Sequence, residues 1–209
     1  MRVWQERFGG NHPLTISINV SVKQLSGDRF ATHLARTLGE TGLAAGDVHI
    51  ELTESAVMED MADSLATLAR LRASGVELHI DDFGTGHSSL SYPRQLQVDR
   101  VKIDRSFVSR DGQNGLADRE IIDTIVSLSH KLGIEVVAEG VESEQQRLEL
   151  RALRCGYAQG YFFRASVRCR SLCLPYRSVA RSCGSVTPLR GAELAPATCR
   201  RVLWAAYVN

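Results

Sequence analysis

No run of apolar residues in the 209-residue sequence approaches the eighteen or so that a membrane helix needs, and no apolar stretch near the start follows a basic segment. Neither a signal segment nor a spanning helix is therefore predicted, and the chain is expected to be soluble and cytoplasmic, with no membrane partner. An excess of one charge is also missing. The formal net charge is +1 with 23% charged residues, which matches neither the basic bias of a DNA or RNA binder nor the composition of a disordered chain. Cysteine is scarce over most of the length: Cys155 stands alone until Cys169, Cys173, Cys183 and Cys199 follow in the last 45 residues. An odd number with no pair in the body argues against a disulfide framework, and Cys169 and Cys173 lack the partner spacing of a zinc site.

The small net charge conceals two compositions. Residues 165–209 hold seven Arg, no Lys and one acid, Glu193, for a charge of +6, whereas residues 1–164 carry −5. The tail also contains Trp204 and four cysteines, which disordered extensions normally lack. Its Arg, Ala, Ser, Pro and Cys bias predicts translation in an altered reading frame of a GC-rich gene. Three segments are expected: 1–13 as the remnant of a preceding helix and loop, 14–164 as the body, and 165–209 as an atypical Arg- and Cys-rich tail.

Within the body, six windows read as strands: 14–22, 48–53, 76–81, 98–104, 134–139 and 157–160. In the second, Val48, Ile50 and Leu52 share one face while His49, Glu51 and Thr53 share the other. Helical patterns at 30–38, 58–73, 118–132 and 144–153 lie between them, and Gly42, Gly75, Gly133 and Gly156 sit near their ends, where a helix stop costs least. Alternating strands and helices predict an α/β fold with a parallel sheet. Strands that end on polar residues favour a barrel whose inner face opens into a site over a doubly wound sheet with both faces apolar.

Those ends read, in order, Asn19, Glu51, Asp81 with Asp82, Lys102, Glu139 and Gln159. In a parallel barrel the carboxyl ends of the strands share one mouth, so these side chains would meet. Any one acid, Glu51 for example, reads equally as a helix cap or a solvated loop residue. Four gathered at the strand ends do not, because carboxylates so close need a cation. Oxygen donors without clustered His or Cys select Mg2+ or Mn2+ over zinc. Lys102, the one base in the ring, is a candidate for orienting or deprotonating water. His79 and His87 read as core and loop residues, since neither has a partner at ligand spacing.

Six strings carry a resemblance: Asn19-Val20-Ser21, Glu51-Leu52-Thr53-Glu54-Ser55, Asp81-Asp82-Phe83-Gly84-Thr85-Gly86, Lys102-Ile103-Asp104, Ala138-Glu139-Gly140-Val141-Glu142 and Gln159-Gly160-Tyr161. In order and spacing, from about residue 14 to 163, they resemble the EAL-domain family of cyclic di-GMP phosphodiesterases. The resemblance implies a modified (β/α)8, TIM-like barrel, here incomplete with about six of eight strands. It further implies metal-dependent hydrolysis of cyclic di-GMP to linear pGpG with two Mg2+ or Mn2+ ions. Carried over, Asn19, Glu51, Asp81 and Glu139 would ligate the first metal and Asp81 with Asp82 the second. Lys102 would contact the attacking water with Glu142 beside it, and Gln159 would complete the substrate side. Glu54 would anchor the loop after Asp82, and the 82–91 region would carry a homodimer contact.

Several positions depart from the family pattern. His87 replaces a tyrosine and residues 93–97 differ, while the glutamate-alanine-leucine signature is missing. With it go two strands, a glutamate metal ligand and a phosphate-binding arginine, so two sheet edges are expected to be bare. Two readings stay open: an enzyme, whose activity the missing ligands put in question, and a non-catalytic cyclic di-GMP-binding or protein-interaction module.

Overall fold

The computed structural model describes residues 14–25, 27, 29–59, 61–85, 96–109, 115–163, 187–188 and 201–205. All six expected strands form: β1 (Leu14–Asn19), β2 (Val48–Thr53), β3 (Glu77–Phe83), β4 (Arg100–Ile103), β5 (Glu135–Ala138) and β6 (Tyr157–Ala158). They pair in parallel in chain order. The helices between them are α1 (Val22–Leu25), α2 (Arg29–Thr41), α3 (Glu54–Glu59), α4 (Met61–Ala73), α5 (Arg105–Val108), α6 (Gly115–Leu132) and α7 (Glu144–Ala152).

Local chemistry moved some boundaries. β1 stops at Asn19 instead of running to 22, because the Gln24 side chain turns back. Its Oε1 accepts from the Ser21 backbone N–H at 3.0 Å and from the Ser21 hydroxyl at 3.1 Å, which opens α1. Of the stretch expected as a helix over 58–73, residues 58–59 belong to α3, which starts directly at the end of β2, and Met61–Ala73 form α4.

Apolar side chains on the outer strand face, among them Ile50, Leu52, Leu78, Ile80, Val101 and Ile103, are buried in one cluster with Leu34 of α2, Leu68 and Leu71 of α4, Ile122, Ile125 and Val126 of α6 and Leu150 of α7. The sheet is curled. Flat, it would place β2 and β5 about 14 Å apart, three strand spacings, yet Glu51 of β2 and Glu139, directly after β5, both reach the Lys102 ammonium of β4.

The edges are not bare, against expectation. β7 (Thr187–Pro188) lies antiparallel to β6, and β8 (Arg201–Ala205) lies parallel to β1, with Leu14 opposite Arg201 and Ile18 opposite Ala205. An edge strand presents unpaired N–H and C=O groups, and the Val202-Leu203-Trp204 run has the β-branched and aromatic character that suits pairing.

Candidate active site

Strand alternation puts every second residue of β2 to β5 on the inner face, and the last of these come together at the carboxyl ends. Lys102, 2% exposed, is the hub. Its Nζ stands 2.6 Å from Glu139 Oε1, 2.9 Å from Asp81 Oδ1 and 3.2 Å from Glu51 Oε2. Burial opposes the ammonium, but Glu139, Glu51 and Asp81 outweigh it and hold the proton on Lys102 beyond the ordinary lysine range. Glu51 also resists burial: His79 and Lys102 pull its carboxyl down to about 2. One ammonium cannot neutralise three carboxylates. The surplus falls on Glu139, which burial pushes up to about 7 against the pull of Lys102, with Asp81 and Glu51 adding repulsion.

Asp82 lies beside this group. The β3–β4 register shifts between Ile80 and Phe83, and Asp82 has φ +55, a conformation few side chains adopt. The irregularity lets two consecutive residues serve one site, since a regular strand would send them to opposite faces. Burial, Asp81 and Asp104 all raise the Asp82 carboxyl above its usual range. The turn after it is braced at two points. Thr85 donates from its backbone and its hydroxyl to the Asp82 carbonyl, and buried Glu54, at the start of α3, accepts from the Gly84 N–H at 2.8 Å. Gly84 is at φ +100 with Phe107 3.0 Å from where a Cβ would stand, so glycine is required there.

Asn19 and Glu51 are opposite one another in the β1–β2 register, which brings the amide to the same end. Gln159 donates from Nε2 to Glu139 Oε1 at 2.6 Å. Glu142 is exposed on the turn after β5, its backbone N–H donating to Gln146 Oε1. The homodimer region falls largely outside the described residues: of 82–91 only 82–85 are described, and His87 lies outside.

Asp81, Asp82 and Glu139 each offer one oxygen within 4.8 Å of the others. The donor set is all carboxylate, half-buried and over-supplied with negative charge, which fits a hard divalent cation. The sequence reading missed a second group. Glu77, His79 and His49 lie two to four residues before Asp81 and Glu51, in the same phase, and the β2–β3 register sets His49 opposite Glu77. Spacing along one strand pairs only Glu77 with His79, because His49 belongs to the neighbouring strand. The signal was the shared phase of polar residues in two successive strands.

A family model described as EAL domain matches residues 1–166, extending the stretch that carries the motifs at both ends. Among curated relatives, the cyclic di-GMP phosphodiesterase NbdA of Pseudomonas aeruginosa is 41% identical over 156 residues, 75% of this chain and 20% of that protein. The chain spans a quarter or less of the length of the curated relatives it matches. Among solved structures, the PaMucR phosphodiesterase in complex with c-di-GMP superposes with a TM-score of 0.73 at 34% identity, covering 82% of this chain and 73% of that one. A manganese and cyclic di-GMP complex of Klebsiella pneumoniae BlrP1 gives 0.67 at 32% identity, over 78% of this chain and 41% of that one.

Proposed function

The chain belongs to the EAL domain family, and from that premise we propose that it hydrolyses one phosphodiester of cyclic di-GMP, giving linear pGpG, with two Mg2+ or Mn2+ ions. One observation carries the reading: Glu51, Asp81 and Glu139 gather on Lys102 at the strand ends, with Asp82 beside them. Asn19, Glu51, Asp81 and Glu139 would hold one ion, and Asp81 with Asp82 the other. Such ions make water nucleophilic near neutral pH and stabilise the attacking and leaving oxygens of an in-line displacement.

The chain's own groups divide the remaining work. Lys102 keeps its proton at Nζ, so it orients water and balances the carboxylates and does not act as the base. Gln159 fixes the Glu139 carboxyl through its amide N–H. Glu142, on the exposed turn at the mouth, is placed to meet substrate or solvent. The names of NbdA and of the PaMucR complex support the substrate class.

The test is to incubate the purified full chain with cyclic di-GMP and Mn2+ or Mg2+ and resolve the products chromatographically. Linear pGpG is expected, and it should vanish with chelator and in D81N. If the folded, metal-loaded chain yields no pGpG but binds the dinucleotide calorimetrically, the non-catalytic module is the correct reading. Neither product nor binding overturns both.

A further inference from the structure

We infer that His49, Glu77 and His79 form a second metal site inside the barrel, below the acid ring, suited to Zn2+ or another divalent ion that favours imidazole. The three ligand atoms lie within 4.8 Å of one another. Glu77 Oε2 is 3.3 Å from His49 Nε2 and 3.2 Å from His79 Nε2. Two donors about 2.1 Å from a tetrahedral zinc stand about 3.4 Å apart, a spacing that the two separations from Glu77 match.

The independent observation is His49. It is fully buried; Nδ1 has no partner, and Nε2 faces only the Glu77 carboxylate, without the alignment of a hydrogen bond. A buried imidazole left so is costly unless something else takes a nitrogen. Hydrogen bonding explains the His79–Glu77 pair, in which the ring nitrogen is 3.2 Å from the carboxylate, but not why a second buried imidazole is turned on the same carboxylate oxygen. The His49 and His79 rings sit 4.5 Å apart at 41°, close enough to share one ion.

His79 also links the two layers. Its other ring nitrogen, Nδ1, is 3.9 Å from Glu51 Oε1. With Nε2 on a metal, the proton would sit on Nδ1, on the side of the ring that faces Glu51. Arg100 is engaged elsewhere, donating from both Nε and a terminal nitrogen to Glu135. The Glu77 side chain is 26% exposed and gives the cluster its route to solvent. The inference does not depend on the hydrolytic reading.

Cobalt separates this site from the acid ring, because Co2+ on imidazoles in tetrahedral geometry absorbs strongly in the visible whereas Co2+ on oxygens in octahedral geometry absorbs weakly. The metal-stripped full chain is titrated with Co2+. One equivalent should give the intense band, Zn2+ should remove it, and excess Mg2+ should not. H49F should lose the band and D81N should keep it. E77Q, at a partly exposed position, serves if H49F does not fold, and should bind Co2+ more weakly. Absence of the band in the folded chain, its survival in H49F or unchanged affinity in E77Q would overturn the inference; failure of pGpG formation would not.

Discussion

Two layers of one barrel interior share strands and differ in chemistry. The upper layer is carboxylates around an ammonium: Glu51, Asp81 and Glu139 on Lys102. The lower is imidazoles with a carboxylate, His49, His79 and Glu77, beside the Arg100–Glu135 pair. Two-residue alternation builds both, since His49 precedes Glu51, His79 precedes Asp81 and Arg100 precedes Lys102 by two positions. The upper layer carries surplus negative charge, whereas the lower pairs its charges and leaves a neutral ring unsatisfied. The same scaffold thus presents an all-carboxylate donor set above an imidazole-rich one.

The largest expected effect removes the ammonium that the upper layer's carboxylates share. K102M leaves three buried or half-buried carboxylates without the ammonium they share, and in chelator should lose about 3–5 kcal/mol of stability. Mn2+ should restore more of that loss than it adds to the unsubstituted chain, as measured by denaturant unfolding with and without the ion. Equal stability of the two chains in chelator would mean that the upper layer is not held together by charge.

Acid should separate the layers next. In the metal-free chain His49 is lowered from 6.5 to about 4 by burial, then by His79. The unfolded chain takes a proton there that the folded chain refuses, so the stability is complete above pH 6.5 and is lost as pH falls to 4, about 3 kcal/mol in all. Glu139 acts in the opposite direction, because its raised carboxyl takes a proton in the folded state first and stabilises as pH falls from about 7 towards 4.5. The readout is therefore the difference between the profiles of the unsubstituted chain and H49F, to which Glu139 contributes equally. The Glu51 contribution, with its carboxyl at about 2, is lost only below 4.5. No slope difference between pH 6.5 and 4 would show that His49 titrates as it does in water.

A smaller effect belongs to Gln159. Removing the amide that fixes Glu139 in Q159A should weaken Mn2+ binding by about 10- to 100-fold, with little change in fold. Calorimetric titration of the two chains measures it, and equal affinities would remove Gln159 from the site.

How much of this was legible in the sequence follows from the range of the interactions involved. Six strands and the acids that end them follow from period-two alternation and local turn chemistry, so Glu51, Asp81, Lys102 and Glu139 could be named before any coordinates. What needed the structure was contact across strands. His79 carried no ligand-spaced partner along the chain because its partner, His49, is thirty residues away and reaches it through the β2–β3 register. The strand at Arg201–Ala205 was hidden for the same reason: pairing to β1 is a property of an edge more than 180 residues distant, and its own composition pointed elsewhere.

The weakest expected effect tests whether the upper layer depends on its supporting turn. Glu54 accepts a hydrogen bond from the Gly84 N–H, and Gly84 is only half-buried, so water can replace that bond when it is lost. E54A should therefore cost only about 1 kcal/mol, a small drop in the thermal midpoint. The same bond braces the turn that keeps Asp82 at φ +55, a conformation maintained only while its surroundings enforce it. Metal affinity should accordingly fall by more than the stability loss accounts for. E54Q, which retains an acceptor, should recover most of it. If E54A lowers the midpoint but leaves Mn2+ affinity intact, Asp82 is positioned by the β3 irregularity alone and Glu54 belongs to the packing of α3.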